Sequence, residues 1–251
     1  MSSSAVRKQT ATDHHPLPRV LEDRASFLID RCRGRRVLHL GCLDWPVHCE
    51  RLANGTWLHR KLGQVAAEIV GIDLAADAIA EVQRQGYGHD IHVGDAERLD
   101  EVASRFGRFD VVVAGELIEH LNNAGRFMES AKDVLVPDGR LLITTPSAFC
   151  LRRMLRIPFG SESVHRDHVC YYSHATLSTL AERFGYETVY RASYRMPDTR
   201  PIVAAAAERI GVLVSPNLGE GLLYELRVKQ LRAAAVAVPS GALEAVSRSH
   251  S

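Results

Sequence analysis

The stretch FDVVVAGELIEHL, residues 109–121, decides the reading of the fold. Its first half, FDVVVAG, is a near-continuous apolar run of strand length, the pattern of a strand covered by helices on both faces. Its second half brings two carboxylates and an imidazole, Glu116, Glu119 and His120, directly after that strand. Core packing requires none of them there. Polar groups gathered at a strand end are what a ligand pocket collects at its rim.

Outward from this stretch, short apolar runs recur at residues 36–40, 68–73, 90–94 and 140–145, with two last strands expected at 187–195 and 222–228. Helix-like stretches fall at 21–32, 58–67, 75–85 and 124–134, and Pro137-Asp138-Gly139 predicts a turn before the fifth run. A helix with Leu177, Leu180 and Phe184 on one face follows later in the chain. Strand, helix, strand in repetition predicts the α/β class: a mostly parallel seven-stranded sheet with helices on both faces. In such sheets the ligand sits beyond the carboxyl ends of the strands, where the winding direction reverses. The loops after the strands are therefore where chemistry is expected.

Composition narrows the function classes. A chain of 251 residues suits one catalytic domain. Lys+Arg number 31 against Asp+Glu 30, so there is no overall field to attract a polyanion, and nucleic acid is not the expected partner. No run of about eighteen apolar residues occurs and the first residues lack the apolar centre of a signal peptide, so no membrane partner and a cytoplasmic location are expected. The five cysteines, Cys32, Cys42, Cys49, Cys150 and Cys170, form no CxxC pair, which predicts neither disulfides nor a zinc site. Residues 1–17 read as a flexible leader and 234–251 as a flexible tail; they hold His14, His15 and His250. The catalytic domain is expected over 18–233, with 146–175 as a substrate-side insertion and a homodimer left open.

Four loops carry the chemistry. After the run at 36–40, Leu40-Gly41-Cys42 places a glycine where a backbone can approach a ligand without a Cβ, although a glycine also serves merely to turn strand into helix. Asp73, followed by Leu74, ends the next run; its carboxylate suits both hydroxyls of a ribose, or else begins the following helix. Asp95-Ala96-Glu97 follows the third run, where Asp95 and the Ala96 amide suit an adenine edge or a helix start. Gly115 and Glu116 end the fourth run and lead to His120.

Taken in order, residues 37–42, Asp73, 94–97, the 109–112 run with 116–121, and 135–145 resemble the motifs of class I S-adenosylmethionine-dependent methyltransferases. The resemblance covers roughly residues 34–190 and is nearest to the small-molecule methyltransferases of the ubiquinone-biosynthesis type, which share the Glu-His-Leu segment and the Leu-x-Pro-x-Gly-x-Leu turn. It implies a Rossmann-like fold, S-adenosylmethionine as cofactor and Leu40, Gly41, Cys42, Asp73, Leu74, Asp95, Ala96, Glu97, Gly115 and Glu116 around it. The chain departs from the family in two places: His39 stands where an acid is usual, and Leu43-Asp44-Trp45 stands where Gly-x-Gly is usual. The interval from Gly41 to Asp73 also exceeds the roughly twenty residues of a dinucleotide fingerprint. It contains Trp57 and His59, which either cover the cofactor or pack in the core.

The segment from Val164 to His174 resembles the loop preceding the last helix of that subgroup, which lies near the acceptor. Methyl transfer needs the acceptor aligned and its proton removed. His120, His165 and His168 are the expected bases because imidazole titrates near neutral pH; Tyr171 or Tyr172 would orient the acceptor, a small molecule methylated on oxygen in preference to nitrogen or carbon. Ser173 suits the N-cap of the helix starting at His174. No metal is expected, since the histidines show no HxxxH spacing. Two other readings stand beside this one: a nicotinamide-dependent oxidoreductase, which lacks its Gly-x-Gly-x-x-Gly here, and a methyltransferase fold without catalysis.

Overall fold

The structure, a computed structural model, describes residues 18–21, 23–160, 164–195 and 209–230. The expected leader and tail lie outside the described residues. Strand β1 (Arg19–Leu21) and helix α1 (Arg24–Cys32) open the fold, and the Asp23 carboxylate caps α1 by accepting from the amides of Ala25 and Ser26 at 2.8 and 3.2 Å. There follow β2 (Arg36–Leu40), α2 (His48–Ala53), α3 (Leu58–Gly63), β3 (Glu68–Asp73), α4 (Ala76–Arg84), β4 (Ile91–Val93), α5 (Leu99–Phe106) and β5 (Phe109–Gly115). The chain continues with α6 (Ala124–Ser130), β6 (Leu135–Pro146), α7 (Leu151–Arg156), α8 (His174–Arg183), β7 (Tyr186–Tyr194) and β8 (Gly221–Val228).

The sheet runs β1-β7-β8-β6-β5-β2-β3-β4. All pairs are parallel except those of β8, which is antiparallel to both β6 and β7. The expected count of seven is corrected to eight. The extra strand, β1, is three residues at the sheet edge, too short for any period to register, and it is held by pairing with β7 rather than by a pattern of its own. β6 starts earlier than expected because Phe109 already pairs with Leu135, and the Pro137-Asp138-Gly139 turn becomes an irregularity within the strand.

Alternation within the central strands builds two apolar layers. Val37, Val111, Val113 and Leu142 face α1 and α3, where Leu28, Cys32, Leu58 and Leu62 meet them. Leu38, Leu40, Val112, Ala114, Leu141 and Ile143 face the other way, onto α5, α6 and α8 through Leu99, Val102, Phe127, Met128, Leu177 and Ala181. A third cluster joins α4 to the loop after β2 through Ala78, Ile79, Val82, Cys42, Leu43 and Trp57. Among the described residues no helix is long and apolar enough to cross a membrane.

The chain leaves β2 toward β3 and β4 on one side, then returns to β5 on the other, so the winding reverses between β2 and β5. The crevice beyond their carboxyl ends is the place this topology reserves for a ligand. Directly beneath it Gly71 is packed without slack: a Cβ there would come within 2.8 Å of Cys42 Sγ and His59 Cε1 and 2.9 Å of Ile91 Cγ1. Gly71→Ala is therefore expected to destabilise the protein by about 1–3 kcal/mol through overpacking, measured as a lower midpoint of urea unfolding; an unchanged midpoint would show that this layer yields.

Candidate active site

The loop after β2 turns at Gly41, whose φ of 62° lies in the left-handed region that glycine enters freely. Its N–H donates to the Ile72 carbonyl at 2.9 Å, and a Cβ would meet Leu117 Cδ1 at 3.1 Å. Leu40 and Cys42 are fully buried with their side chains in core clusters, so only their backbone faces the crevice. The Cys42 carbonyl accepts from Trp57 Nε1 at 2.7 Å, and Trp57 is buried. Trp57 thus packs beneath the loop, which settles the alternative left open above. Beside it His39 Nδ1 meets His59 Nδ1 at 3.2 Å, and His59 Nε2 meets Asp90 at 3.2 Å. Burial, and then the neighbouring His59, hold His39 neutral by pushing its pKa far down. Where the family has an acid, this chain has an uncharged imidazole in a buried relay.

Asp73 joins two loops. One carboxylate oxygen accepts from the Leu43 amide at 3.1 Å and the other from the Ala75 amide at 3.0 Å. A carboxylate has about four lone-pair sites, so two backbone bonds leave it able to accept from hydroxyls as well. Leu74 beside it is 69% exposed and Val93 is 56% exposed, two apolar side chains standing free at the ends of β3 and β4. Asp95 closes a local turn by accepting from the Glu97 amide at 2.8 Å, Ala96 is buried, and Glu97 accepts from the Asn123 amide at 2.9 Å.

At the end of β5, Gly115 is followed by Glu116 with φ of 52°. That unusual backbone is held by two bonds from its amide, to the Thr144 carbonyl at 2.8 Å and the Thr144 hydroxyl at 3.2 Å. The Glu116 carboxylate accepts from Tyr194 and pairs with Arg24 at 2.9 Å, while Arg24 also donates to the Thr144 hydroxyl at 3.0 Å. Burial opposes the Arg24 charge, but Tyr194 and Glu116 outweigh it and raise the pKa. Sequence reasoning missed Arg24 and Tyr194, because nothing local marks an arginine in α1 or a tyrosine at the end of β7 as neighbours of Glu116.

Glu119 lies one helical turn on and is fully buried. One carboxyl oxygen accepts from the Thr145 hydroxyl at 2.9 Å; the other has no hydrogen-bond partner. Burial, and then the Glu116 charge, push its pKa up to about 8, so it carries a proton at neutral pH. Its backbone carbonyl accepts from the amides of Val169 and Cys170 at 2.9 and 3.4 Å, which docks the segment after α7 onto the end of β5. Ala148 N–H to the Tyr172 carbonyl, at 2.7 Å, docks the same segment beside β6.

This docking assembles three imidazoles. The rings of His120 and His168 are 4.5 Å apart and those of His165 and His168 are 5.0 Å apart. His120 Nδ1 meets the Asp167 carbonyl at 3.1 Å; a carbonyl only accepts, so Nδ1 donates there. His168 Nδ1 meets the Tyr171 hydroxyl at 3.2 Å, and Arg153 covers the Tyr171 ring at 4.4 Å. Burial, and then His120 and His165, push the His168 pKa down to about 4. Glu119, His120 and His168 also bring ligand atoms within 4.8 Å of one another, a spacing a cation could use. His174 is separate: it is buried, bonded to Tyr224 and Ser193, and opens α8 behind a capping box made by Ser173 and Thr176.

A family model described as a methyltransferase domain matches residues 15–191. A ubiquinone biosynthesis O-methyltransferase of Azorhizobium caulinodans is 31% identical over 117 residues, covering 45% of this chain and 41% of that one. The chain spans less than two thirds of the length of the curated relatives it matches. Among solved structures, an S-adenosylmethionine-dependent methyltransferase from Archaeoglobus fulgidus overlays with a TM-score of 0.54 at 17% identity, covering 81% of this chain and 90% of the other. The magnesium protoporphyrin IX methyltransferase of Synechocystis, solved with bound S-adenosylhomocysteine, overlays at 0.52 and 16%, covering 81% and 80%.

The proton on Glu119 has a consequence for stability. Between its ordinary value of 4.5 and about 8 the folded protein keeps a proton that the unfolded chain releases, so this group's contribution falls as pH rises through that window. Glu119→Gln, which cannot titrate, is expected to flatten the pH dependence of urea unfolding across the window. Equal slopes for the two proteins would mean that Glu119 is ionised in the fold.

Proposed function

The chain belongs to the methyltransferase-domain family, and on that premise we propose that it moves a methyl group from S-adenosylmethionine to an oxygen of a small-molecule acceptor. The observation that carries this reading is the docking of the histidine segment onto Glu119, which gathers His120, His165 and His168 beside the crevice at the β2–β5 reversal. The oxygen preference draws on the O-methyltransferases among its relatives. The domain is read as 18–233, with 146–175 forming the acceptor side.

The residues present suit the cofactor. The left-handed turn at Gly41 leaves a cradle in which the backbone of residues 40–42 would lie against it. Asp73 would accept from the ribose hydroxyls with its spare lone pairs, and the free-standing Leu74 would cover the adenine, with Asp95, Ala96 and Glu97 at its edge. Gly115 and Glu116 would take the methionine end. There Arg24 and Glu116 form a pair of opposite charges, matching the carboxylate and ammonium of an amino acid. This pair supplies what the irregular Leu43-Asp44-Trp45 loop lacks.

When bound, the cofactor supplies an electrophilic methyl on sulfur, displaced in line by the acceptor. The chain's own task is alignment and proton removal. His168 is the first candidate base: its low pKa keeps it neutral while making it a weak proton acceptor, and the Tyr171 hydroxyl meets its Nδ1. His120, whose Nδ1 is engaged by the Asp167 carbonyl, is the second. An imidazole of this cluster would take the proton of the acceptor hydroxyl, leaving its oxygen free to attack the methyl group.

Titration calorimetry with S-adenosylmethionine is the test, and micromolar binding is expected; no binding to it or to S-adenosylhomocysteine would favour a fold without catalysis. Asp73→Ala should cost about 1.5–3 kcal/mol of that affinity, the value of a hydrogen bond to a charged group, and unchanged affinity would remove Asp73 from the site. His168→Ala should keep the affinity and lose about a hundredfold or more in rate. Because a neutral imidazole is the active form, the acid limb of the rate profile should fall near pH 4 and not near 6.5; a limb at 6.5 would assign the base elsewhere.

A further inference from the structure

Apart from the histidine cluster, α2 and α4 bring together His48, Cys49 and Glu81. The three offer ligand atoms that all lie within 4.8 Å of one another. His48 Nε2 is 3.5 Å from one oxygen of Glu81, and Cys49 Sγ is 3.5 Å from the other. His48 is only 5% exposed, yet neither of its ring nitrogens has a hydrogen-bond partner. A buried imidazole left unsatisfied is costly, and native folds seldom leave one so. Its approach to Glu81 has the distance of an ion pair without the geometry of a hydrogen bond.

We propose that His48, Cys49 and Glu81 bind a zinc ion. Zinc takes nitrogen, oxygen and sulfur at about 2.0–2.3 Å in a tetrahedron, which sets neighbouring ligand atoms roughly 3.3–3.6 Å apart. The two contacts, each 3.5 Å long, reach different oxygens of Glu81, and the carboxylate turns to present one of them to the ion, its atoms and those of His48 and Cys49 already lying within 4.8 Å of one another. An imidazole, a thiolate and a carboxylate together select zinc over magnesium or calcium, which prefer oxygen alone. The fourth vertex opens to solvent past Glu81, which is half exposed, and takes water. Binding replaces the thiol proton of Cys49, which is released.

The site has a structural purpose. α2 follows the loop that carries Leu43-Asp44-Trp45, and α4 follows Asp73. An ion joining the two helices fastens the outer side of both loops, while Asp73 and the Leu43 amide fasten the inner side. The loop that has lost the family's glycines is thereby held at both ends. Sequence spacing conceals this set, since His48 and Cys49 are adjacent and Glu81 lies beyond a helix and a strand, α3 and β3.

The whole protein, stripped with a chelator and titrated with Co²⁺ as a spectroscopic substitute, is expected to develop the visible bands of a four-coordinate ion and a sulfur-to-cobalt band, both displaced stoichiometrically by Zn²⁺. Cys49→Ser should abolish the sulfur band. Glu81→Gln should weaken Zn²⁺ binding by more than about tenfold. Both side chains are partly exposed, so these variants are expected to keep the circular dichroism of the native fold. His168→Ala, altering the other cluster, should leave the sulfur band intact. Wild-type protein without a sulfur band, or a band that survives Cys49→Ser, would overturn the proposal, as would unchanged Zn²⁺ affinity in Glu81→Gln.

Discussion

The carbonyl oxygen of Glu119 receives the amides of Val169 and Cys170, and its carboxyl receives the hydroxyl of Thr145. One residue thus binds the end of β5 to the end of β6 and to the segment bearing His165 and His168. These bonds give residues 164–173 a defined seat although they contain little regular structure. His120, one residue on, reaches the same segment through the Asp167 carbonyl. Without that seat the three imidazoles would be separate groups on separate loops.

The other half of the crevice depends on a second carboxylate. Asp73 holds the amides of Leu43 and Ala75 at once, so the loops after β2 and β3 are tied together. Glu119 and Glu116 are put to opposite uses by their surroundings. Glu119 is deep, lacks a partner for one oxygen and keeps a proton, whereas Glu116 is paired with Arg24 and accepts from Tyr194. Glu116 sits in a left-handed backbone that costs energy for a residue with a Cβ, and such strain persists where surrounding bonds over-determine it. Here the two bonds from its amide to Thr144 do so.

Much of the framework was legible because each strand carries its own signal. The runs at 36–40, 68–73 and 109–115 are strands with those bounds, since buried parallel strands are apolar throughout. The helix after Ser173 begins where its capping pattern places it. β1 escaped notice because three residues at an edge have no period. The short α2 and α7 escaped too: α7 buries no residue and so presents no apolar stripe to read. Within the eleven-residue span from Val164 to His174, α8 turns His174 into the core while His165 and His168 stay with His120.

By itself the sequence determined the α/β order, the strand ends where polar residues gather and the family resemblance, because these follow from local period and from residues in fixed order. Only the tertiary structure decided which polar groups meet. Arg24, Glu116 and Tyr194 come from three distant stretches, as do His39, His59 and Asp90, while the adjacent His48 and Cys49 meet Glu81 from another helix. The reason is physical: a side chain's partners and its protonation depend on burial and on neighbours supplied by other elements. Spacing along the chain carries no record of either when the sheet brings its strands together out of order.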